Sequence, residues 1–474
     1  MNWTLALPEI VLAVSGLVIL AAGVLMRKEE AFLPSATLSV AAMIVSGFLV
    51  TTSSSGFGYG DVFVVDAFAR FIKLLVIAGG VASITLSIGY SDGKSALPFE
   101  TPILMLFSTL GAMIMASSAN LMTLFVGLEL SSLSIYILCA IERDRVEAAE
   151  AGLKYFILGS LASGLLLYGA SLAYGFAGTM EFAPIAVEIN GAGALPVGLV
   201  IGVVFIVVGL AFKLSAVPFH MWTPDVYQGS PTPVTAFMAG APKFAAFALI
   251  LRVMMGPFGA MSPRWQLLIE VISALSMLFG ALAAIPQRDI KRLMAYSSIG
   301  HMGYAMMGLA AATPVGTRGT LVYLTTYLVM NVGVFGVISA MRRRGREVTT
   351  IADLAGLGRT NPAMAMVMAI CMFSMIGVPP LAGFFGKFMV FGAAWNAGLY
   401  GLVAVGALSA VIGAFYYLRV VKVVYFDASV APFDKPAPSI AFVSAAMGLA
   451  TVLFLLALGP VSEAAGAAAK ALVG

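Results

Sequence analysis

Fourteen apolar stretches of roughly membrane-spanning length, about 20 residues each, follow one another from residue 4 to residue 460. They lie near 4–25, 34–52, 66–89, 100–116, 120–140, 148–175, 197–228, 232–256, 264–285, 289–310, 317–341, 361–398, 400–426 and 439–460. No interval between them has room for a soluble domain of useful size. In hydrocarbon each backbone N–H and C=O must find its partner inside the protein, so consecutive apolar runs of this length fold as helices. The expected fold class is therefore an all-α polytopic membrane protein forming a single integral membrane domain over 1–474. Composition agrees, with 10% charged residues against about 25% in soluble domains.

The basic residues lie in the connections between apolar runs, so the net charge of +4 implies nothing about nucleic acid. Their distribution orients the chain instead. Odd-numbered connections carry Arg27, Lys28, Lys94, Arg143, Arg145, Arg288, Lys291, Arg292, Arg342, Arg343, Arg344, Arg346, Arg359 and Lys435, whereas even-numbered ones carry only Arg264 and Arg318. The odd connections are expected in the cytoplasm and both termini on the opposite, periplasmic side of a bacterial inner membrane. The first run, Leu5 to Leu25, lacks a basic leader and ends at Arg27-Lys28, which reads as a retained helix rather than a cleaved signal. Cys139 and Cys371 sit singly in apolar segments, with no Cys-x-x-Cys or Cys/His cluster. No metal site is expected, and both thiols read as small core residues.

Two runs are interrupted at membrane depth, one at FKLSAVPFHMW and one at FSMIGVPPLAGFFGKF. Pro218 and the pair Pro379-Pro380 remove backbone donors and free carbonyls one turn earlier. Freed groups at that depth are tolerated only inside protein or beside water. The breaks are about 160 residues apart, each in the fourth of five helices. Paired broken helices are the mark of inverted-repeat transporters. The expected organisation is helices 1–3 over 1–95, a five-helix repeat over 100–256, an inverted five-helix repeat over 263–427, and a last helix at 439–460.

Charges inside the runs point to function, because an ionisable group at membrane depth is expensive and marks ion or proton pathways. Glu129 lies near the middle of the fifth run, Lys213 just before the first break, Lys243 centrally in the eighth run and Lys387 after the second break. Lys243 and Lys387 have no acidic residue at i±3 or i±4. Burial disfavours the charged form of an amine, so buried lysines can exchange protons near neutral pH. Glu129, Lys213, Lys243 and Lys387 then read as a proton relay on separate helices. The plainer alternatives are a structural carboxyl for Glu129 and capping of the broken helix's own carbonyls for Lys213. His220, across the first break, and His301, among small and hydroxyl residues, are candidates for relay or gating. So is Lys154, although Glu150 at i−4 also makes it a snorkelling, ion-paired lysine. Asp66, Arg70 and Lys73 share a face of the third run and read as an anchoring cluster.

At these residues the chain resembles the antiporter-like membrane subunits of proton-pumping NADH:quinone oxidoreductase, respiratory complex I. The likeness covers nearly the whole chain, through LFVGLELSSLSIY, GLKYFILGS, FKLSAVPFHMWTPDVYQGSPTP, QRDIKRLMAYSSIGHMGY and GVPPLAGFFGKF in that order. No lateral-helix extension follows residue 460, unlike the largest of the three subunit kinds. Lysine rather than glutamate in the second broken helix argues against the middle kind. The resemblance implies that Glu129 and Lys213 are a coupled pair, Lys243 a central relay and Lys387 a terminal lysine. It also implies that this chain binds no cofactor, with NADH, FMN, iron–sulfur clusters and quinone handled elsewhere, and that its partners are the other membrane subunits and the bilayer. A stand-alone cation/proton antiporter of the related family is the alternative reading. A haem carrier using His220 and His301 has little support, since two lone histidines lack the spacing of a helical pair.

Overall fold

The structure, a computed structural model, describes residues 3–27, 30–91, 97–191, 195–428 and 431–473; Lys28 and Lys94 lie outside these. Helix occupies each of the fourteen expected intervals. In chain order the α-helices are α1 (Leu7–Leu25), α2 (Phe32–Thr52), α3 (Ala67–Ser91), α4 (Glu100–Ala116), α5 (Leu121–Cys139), α6 (Val146–Ala177), α7 (Phe182–Gly191), α8 (Val197–Lys213), α9 (Thr223–Gly229) and α10 (Thr232–Ala239). They continue with α11 (Ala241–Met255), α12 (Ser262–Ala284), α13 (Ile290–Ala310), α14 (Pro314–Ser339), α15 (Leu357–Thr360), α16 (Pro362–Ile376), α17 (Ala382–Asn396), α18 (Tyr400–Phe426) and α19 (Pro438–Val473). Ten helical segments among the described residues are long and apolar enough to cross a membrane, and α4, α8 and α16 are shorter apolar helices. Two hairpins, β1–β2 (Gly56–Gly58, Phe63–Val65) and β3–β4 (Arg342–Arg343, Arg346–Glu347), sit in connections.

Side-chain caps start several helices where their sequences allow. Asn120 accepts from the Met122 N–H, Asp289 from Arg292, Thr313 from Gly316 and Asn361 from Met364, each satisfying one orphan donor of a first turn. Glycine permits the closest helix pairs. A Cβ at Gly111 would stand 2.5 Å from the Ser131 nitrogen, and one at Gly280 2.6 Å from that of Gly300. The backbones of α4 and α5, and those of α12 and α13, therefore approach as they could with no other residue.

Three departures from expectation, two in helix boundaries and one in a side-chain cluster, have physical causes. The eighth run is not one helix: the backbone turns at Gly240 (φ −113°, ψ −98°) between α10 and α11, two residues before Pro242, whose missing N–H suits the first turn of a helix. The last helix continues past 460 to Val473, through Pro460. Arg318 of α14 donates to the Ser462 carbonyl at 3.1 Å and to its hydroxyl at 2.6 Å, and Ala465, Ala468 and Ala469 are buried. Asp66, Arg70 and Lys73 are not one cluster. Asp66 takes both Arg252 nitrogens at 2.9 Å, Arg70 donates to Ser55, and Lys73 meets Glu9 of α1 at 2.6 Å in a fully buried ion pair. They tie α3 and the residue before it to three different places, so the residues anchor the fold without joining one another.

Candidate functional site

The first break spans residues 214–222, between α8 and α9, with Ser215 at φ +61°. One backbone group within it and one in the last turn of α8 find side-chain partners. The Val217 N–H donates to Ser276 at 2.9 Å, and the Trp222 indole donates to the Phe212 carbonyl at 3.0 Å. That indole does the capping work the sequence offered to Lys213. Lys213, last residue of α8, turns instead toward α5, donating to Ser132 and Tyr136 at 2.8 Å each, and sits 5.1 Å from the Tyr136 ring centre. Glu129 accepts from Ser163 of α6 at 2.5 Å. Glu129, Ser132 and Tyr136 fall at i, i+3 and i+7, one face of α5. Carboxylate and amine thus share a polar stripe without direct contact.

At the second break, residues 377–381 between α16 and α17, Gly377 adopts φ +99°, a left-handed conformation suited to glycine. Lys387 reaches back from α17 to donate to the carbonyls of Met375 and Ile376, both at 2.9 Å. Here the lysine does cap the freed carbonyls. Its ammonium lies 4.9 Å from the Tyr304 ring centre on α13. Pro218, Pro379 and Pro380 all lie on the exposed side of the breaks.

Lys243, 1% exposed, is the third residue of α11. It donates to Ser298 of α13 at 2.7 Å and sits 5.1 Å from the Tyr227 ring centre. Three residues along α13 from Ser298, His301 is held through Nδ1 to Tyr323 at 2.7 Å and through Nε2 to Tyr417 at 3.0 Å. Tyr417 in turn meets Ser297 at 2.5 Å. The α13 face carrying Ser298, His301 and Tyr304 therefore runs from Lys243 to Lys387, and both His301 nitrogens are engaged by phenols rather than open to a haem iron. Among the described residues no carboxylate comes within 4.0 Å of Lys213, Lys243 or Lys387.

Two other candidates lie off this line. Lys154 pairs with Glu150 at 2.6 Å and Asp225 at 2.7 Å, and its side chain is 40% exposed. Arg292 holds the other Asp225 oxygen at 2.6 Å. His220 is half-buried, its ring against Phe279 at 4.5 Å and its Nδ1 without a hydrogen bond.

Arg145 and Lys291, counted at first only as connection charges, join Glu347 in a further polar centre. On the face of the odd-numbered connections lies a cavity of about 630 Å³, lined among others by Tyr90, Arg145, Asp225, Gln228 and Glu347. Glu347, in the hairpin after α14, receives Thr232 in a short hydrogen bond and lies 3.5 Å from both Arg145 and Lys291. Lys291, wholly buried, donates to the Ser230 carbonyl at 2.6 Å. Burial would push the Glu347 carboxyl up, but Lys291, the Thr232 hydroxyl and Arg145 outweigh it and hold the group below its ordinary range. A depressed folded-state pKa contributes stability that is present above the unfolded value, about 4.3, and is lost as pH falls through the folded one. Glu347→Gln is thus expected to lower stability by about 1–3 kcal/mol at neutral pH. The difference from wild type should hold from pH 8 to about 5 and close below the carboxylate range. Melting midpoints of the solubilised protein against pH check this; a gap that widens in acid contradicts it.

Comparison with known proteins places the chain among membrane-bound oxidoreductase and antiporter subunits. Residues 118–413 match the family model described as NADH:quinone oxidoreductase/Mrp antiporter, TM. The chain is 66% identical to NADH-quinone oxidoreductase subunit N of Gluconacetobacter diazotrophicus and 56% identical to that of Granulibacter bethesdensis, in both cases covering 100% of each chain. A chain in respiratory complex I from Thermus thermophilus matches with TM-score 0.83 and 32% identity over 97% of this chain and 100% of that one. A chain of the Mrp complex from Dietzia matches with TM-score 0.87 at 22% identity, over 100% of this chain and 98% of that one, a likeness of fold.

Proposed function

We propose a function from one premise: this chain belongs to the NADH:quinone oxidoreductase/Mrp antiporter family of transmembrane proteins. It is a multi-pass membrane protein and acts as a proton-translocating subunit, of the subunit N kind, of an NADH:quinone oxidoreductase. Its partners are the other membrane subunits of that complex. The chain holds no redox centre of its own in this reading, and NADH, FMN, iron–sulfur clusters and quinone belong to other parts of the assembly. It sits in a bacterial inner membrane with the odd connections cytoplasmic and both termini periplasmic.

Protons move along Glu129, Lys213, Lys243 and Lys387, with His301 between the last two. The observation that carries this reading is the α13 face, which presents in succession Ser298, the partner of Lys243, then His301, then Tyr304, whose ring lies beneath the Lys387 ammonium. Amines held by hydroxyls, a ring face or carbonyls rather than by carboxylates can release a proton without leaving a buried anion behind. Two correspondences support the inverted five-helix repeats over 100–256 and 263–427. Each break lysine lies over a tyrosine of its group's second helix, Tyr136 on α5 and Tyr304 on α13. In each group the first two helices pack backbone to backbone through glycine.

The direct test is co-purification, in which this chain should travel with NADH-oxidising, quinone-reducing activity. Its isolation as a free cation/proton exchanger without that activity would favour the antiporter alternative. Within the complex, Glu129→Gln and Lys213→Ala should each slow turnover, and the double variant should be little worse than the poorer single one. The pair shares one polar stripe, for which coupling of about 0.5–3 kcal/mol is ordinary. Strictly additive losses in NADH:quinone turnover would separate the two residues.

A further inference from the structure

We propose that Asp225 is a positioning residue for the relay: held between Lys154 of α6 and Arg292 of α13, it sets the roll of α9 and thereby keeps the Tyr227 ring beneath the amine of Lys243. The proposal rests on the relay reading above and adds what holds one of its amines ready to carry charge.

The helix α9 runs only from Thr223 to Gly229, between the first break and Pro231. So short a helix is marginal by itself, and contacts outside it decide how it lies. Asp225 and Gly229 fall at i and i+4, on one side. A Cβ at Gly229 would strike the Glu147 carbonyl oxygen, so the bare glycine seats α9 directly on α6 and brings Asp225 within reach of it. One Asp225 oxygen then meets Lys154 at 2.7 Å and the other meets Arg292 at 2.6 Å. Arg292 also donates to the Gln228 side chain at 3.1 Å. A single exposed ion pair contributes little. Glu150, Lys154, Asp225 and Arg292, however, form a continuous and neutral chain of alternating charge, the networked arrangement in which such pairs do hold. The chain reaches from α6 to α13, with α9 pinned between them.

Tyr227 follows Asp225 by two residues and so points about 200° away around the helix, into the core, where it is wholly buried. The Lys243 ammonium lies 5.1 Å from its ring centre. The Tyr227 hydroxyl completes no hydrogen bond among the described residues. The place of the ring is therefore set by the α9 backbone and by the edge of Phe335, 6.4 Å away. A roll of α9 about its axis would carry the ring off the amine. The other partner of that amine is the Ser298 hydroxyl at 2.7 Å, and a ring face attracts a buried cation where no carboxylate is at hand. Lys154 accordingly holds α9 in place rather than carrying protons along the line.

The test is made in the assembled complex in inverted vesicles, with NADH-driven proton uptake normalised to complex content on native gels. Asp225→Asn keeps the shape and removes the charge, and should lower uptake several-fold. Asp225→Glu keeps the charge and should retain most of the uptake. Tyr227→Met should lower uptake to a similar degree, whereas Tyr227→Phe, which keeps the ring, should not. The double variant of Asp225→Asn with Tyr227→Met should then be no worse than Tyr227→Met alone, because both act on one contact. Losses that multiply are expected of a carboxylate acting only through the charge of the cavity it lines, and they overturn the proposal. So does a glutamate that rescues nothing, or wild-type uptake by Asp225→Asn or Tyr227→Met. Where Asp225→Asn fails to assemble, Arg292→Gln, which leaves Asp225 its lysine, takes its place in the same cycle with the same readings. Lys243→Ala separates the two levels. Impaired uptake there with multiplying losses removes only the role of Asp225, whereas normal uptake there removes the relay and this proposal with it.

Discussion

Lys243→Ala should assemble with its partner subunits and lose most of its NADH-driven proton uptake. Assembly is expected because the lysine holds no carboxylate; its one hydrogen bond is to Ser298, so removing it strands no buried anion. Alanine suits the first turn of α11, and the space left is lined by hydroxyls that can accept water. Function should fail because Lys243 is the amine through which α11 meets the α13 face. Without it Ser298 faces Tyr227 and Tyr327, phenols whose protons are held far more tightly near neutral pH than those of a carrier operating there. Proton uptake into inverted vesicles, normalised to complex content on native gels, measures this. Wild-type uptake in an assembled complex would dismiss the relay assignment.

Lys387→Arg should give an assembled complex with strongly impaired proton transfer, and impaired NADH oxidation too where coupling is tight. Lys387 caps the Met375 and Ile376 carbonyls at the second break. A guanidinium has donors enough to do the same, and it keeps the cation over Tyr304. What arginine cannot do is release its proton in a protein. The substitution therefore separates two roles that a deletion would confuse. If capping were the whole role, NADH:quinone turnover and the pH gradient would both survive. If the lysine must discharge, the gradient should fall while the amount of complex does not. Full pumping by the arginine variant would mean that its charge matters and its titration does not.

The sequence by itself determined the features that are costly where they stand. Long apolar runs, prolines at membrane depth and unpaired lysines each carry a penalty that no soluble or purely structural reading removes. Helices therefore appear in the expected intervals, with breaks at Pro218 and Pro379-Pro380 and buried amines at 213 and 243. Partnership was not legible in that way. Ser132, Ser298, Tyr323 and Tyr417 are cheap residues in membrane helices and common along this chain, so nothing local marks Ser298 as the partner of Lys243 or Tyr417 as that of His301. Trp222 takes the capping role open to Lys213, and Lys387 keeps it at the other break, because one break has an indole within reach and the other has none. Lys291 counted only as a connection charge, and nothing local to Glu347 or Glu9 marks either as a buried partner. Each became a buried ion-pair partner when residues 56 to 64 positions apart, Glu347 with Lys291 and Glu9 with Lys73, were brought together. The turn at Gly240 had a local sign in Pro242, whereas the Leu328 side chain of α14 that packs beside it had none. Burial costs are local and can be read along a chain. The partners that offset them are chosen by packing, and only the folded arrangement decides those.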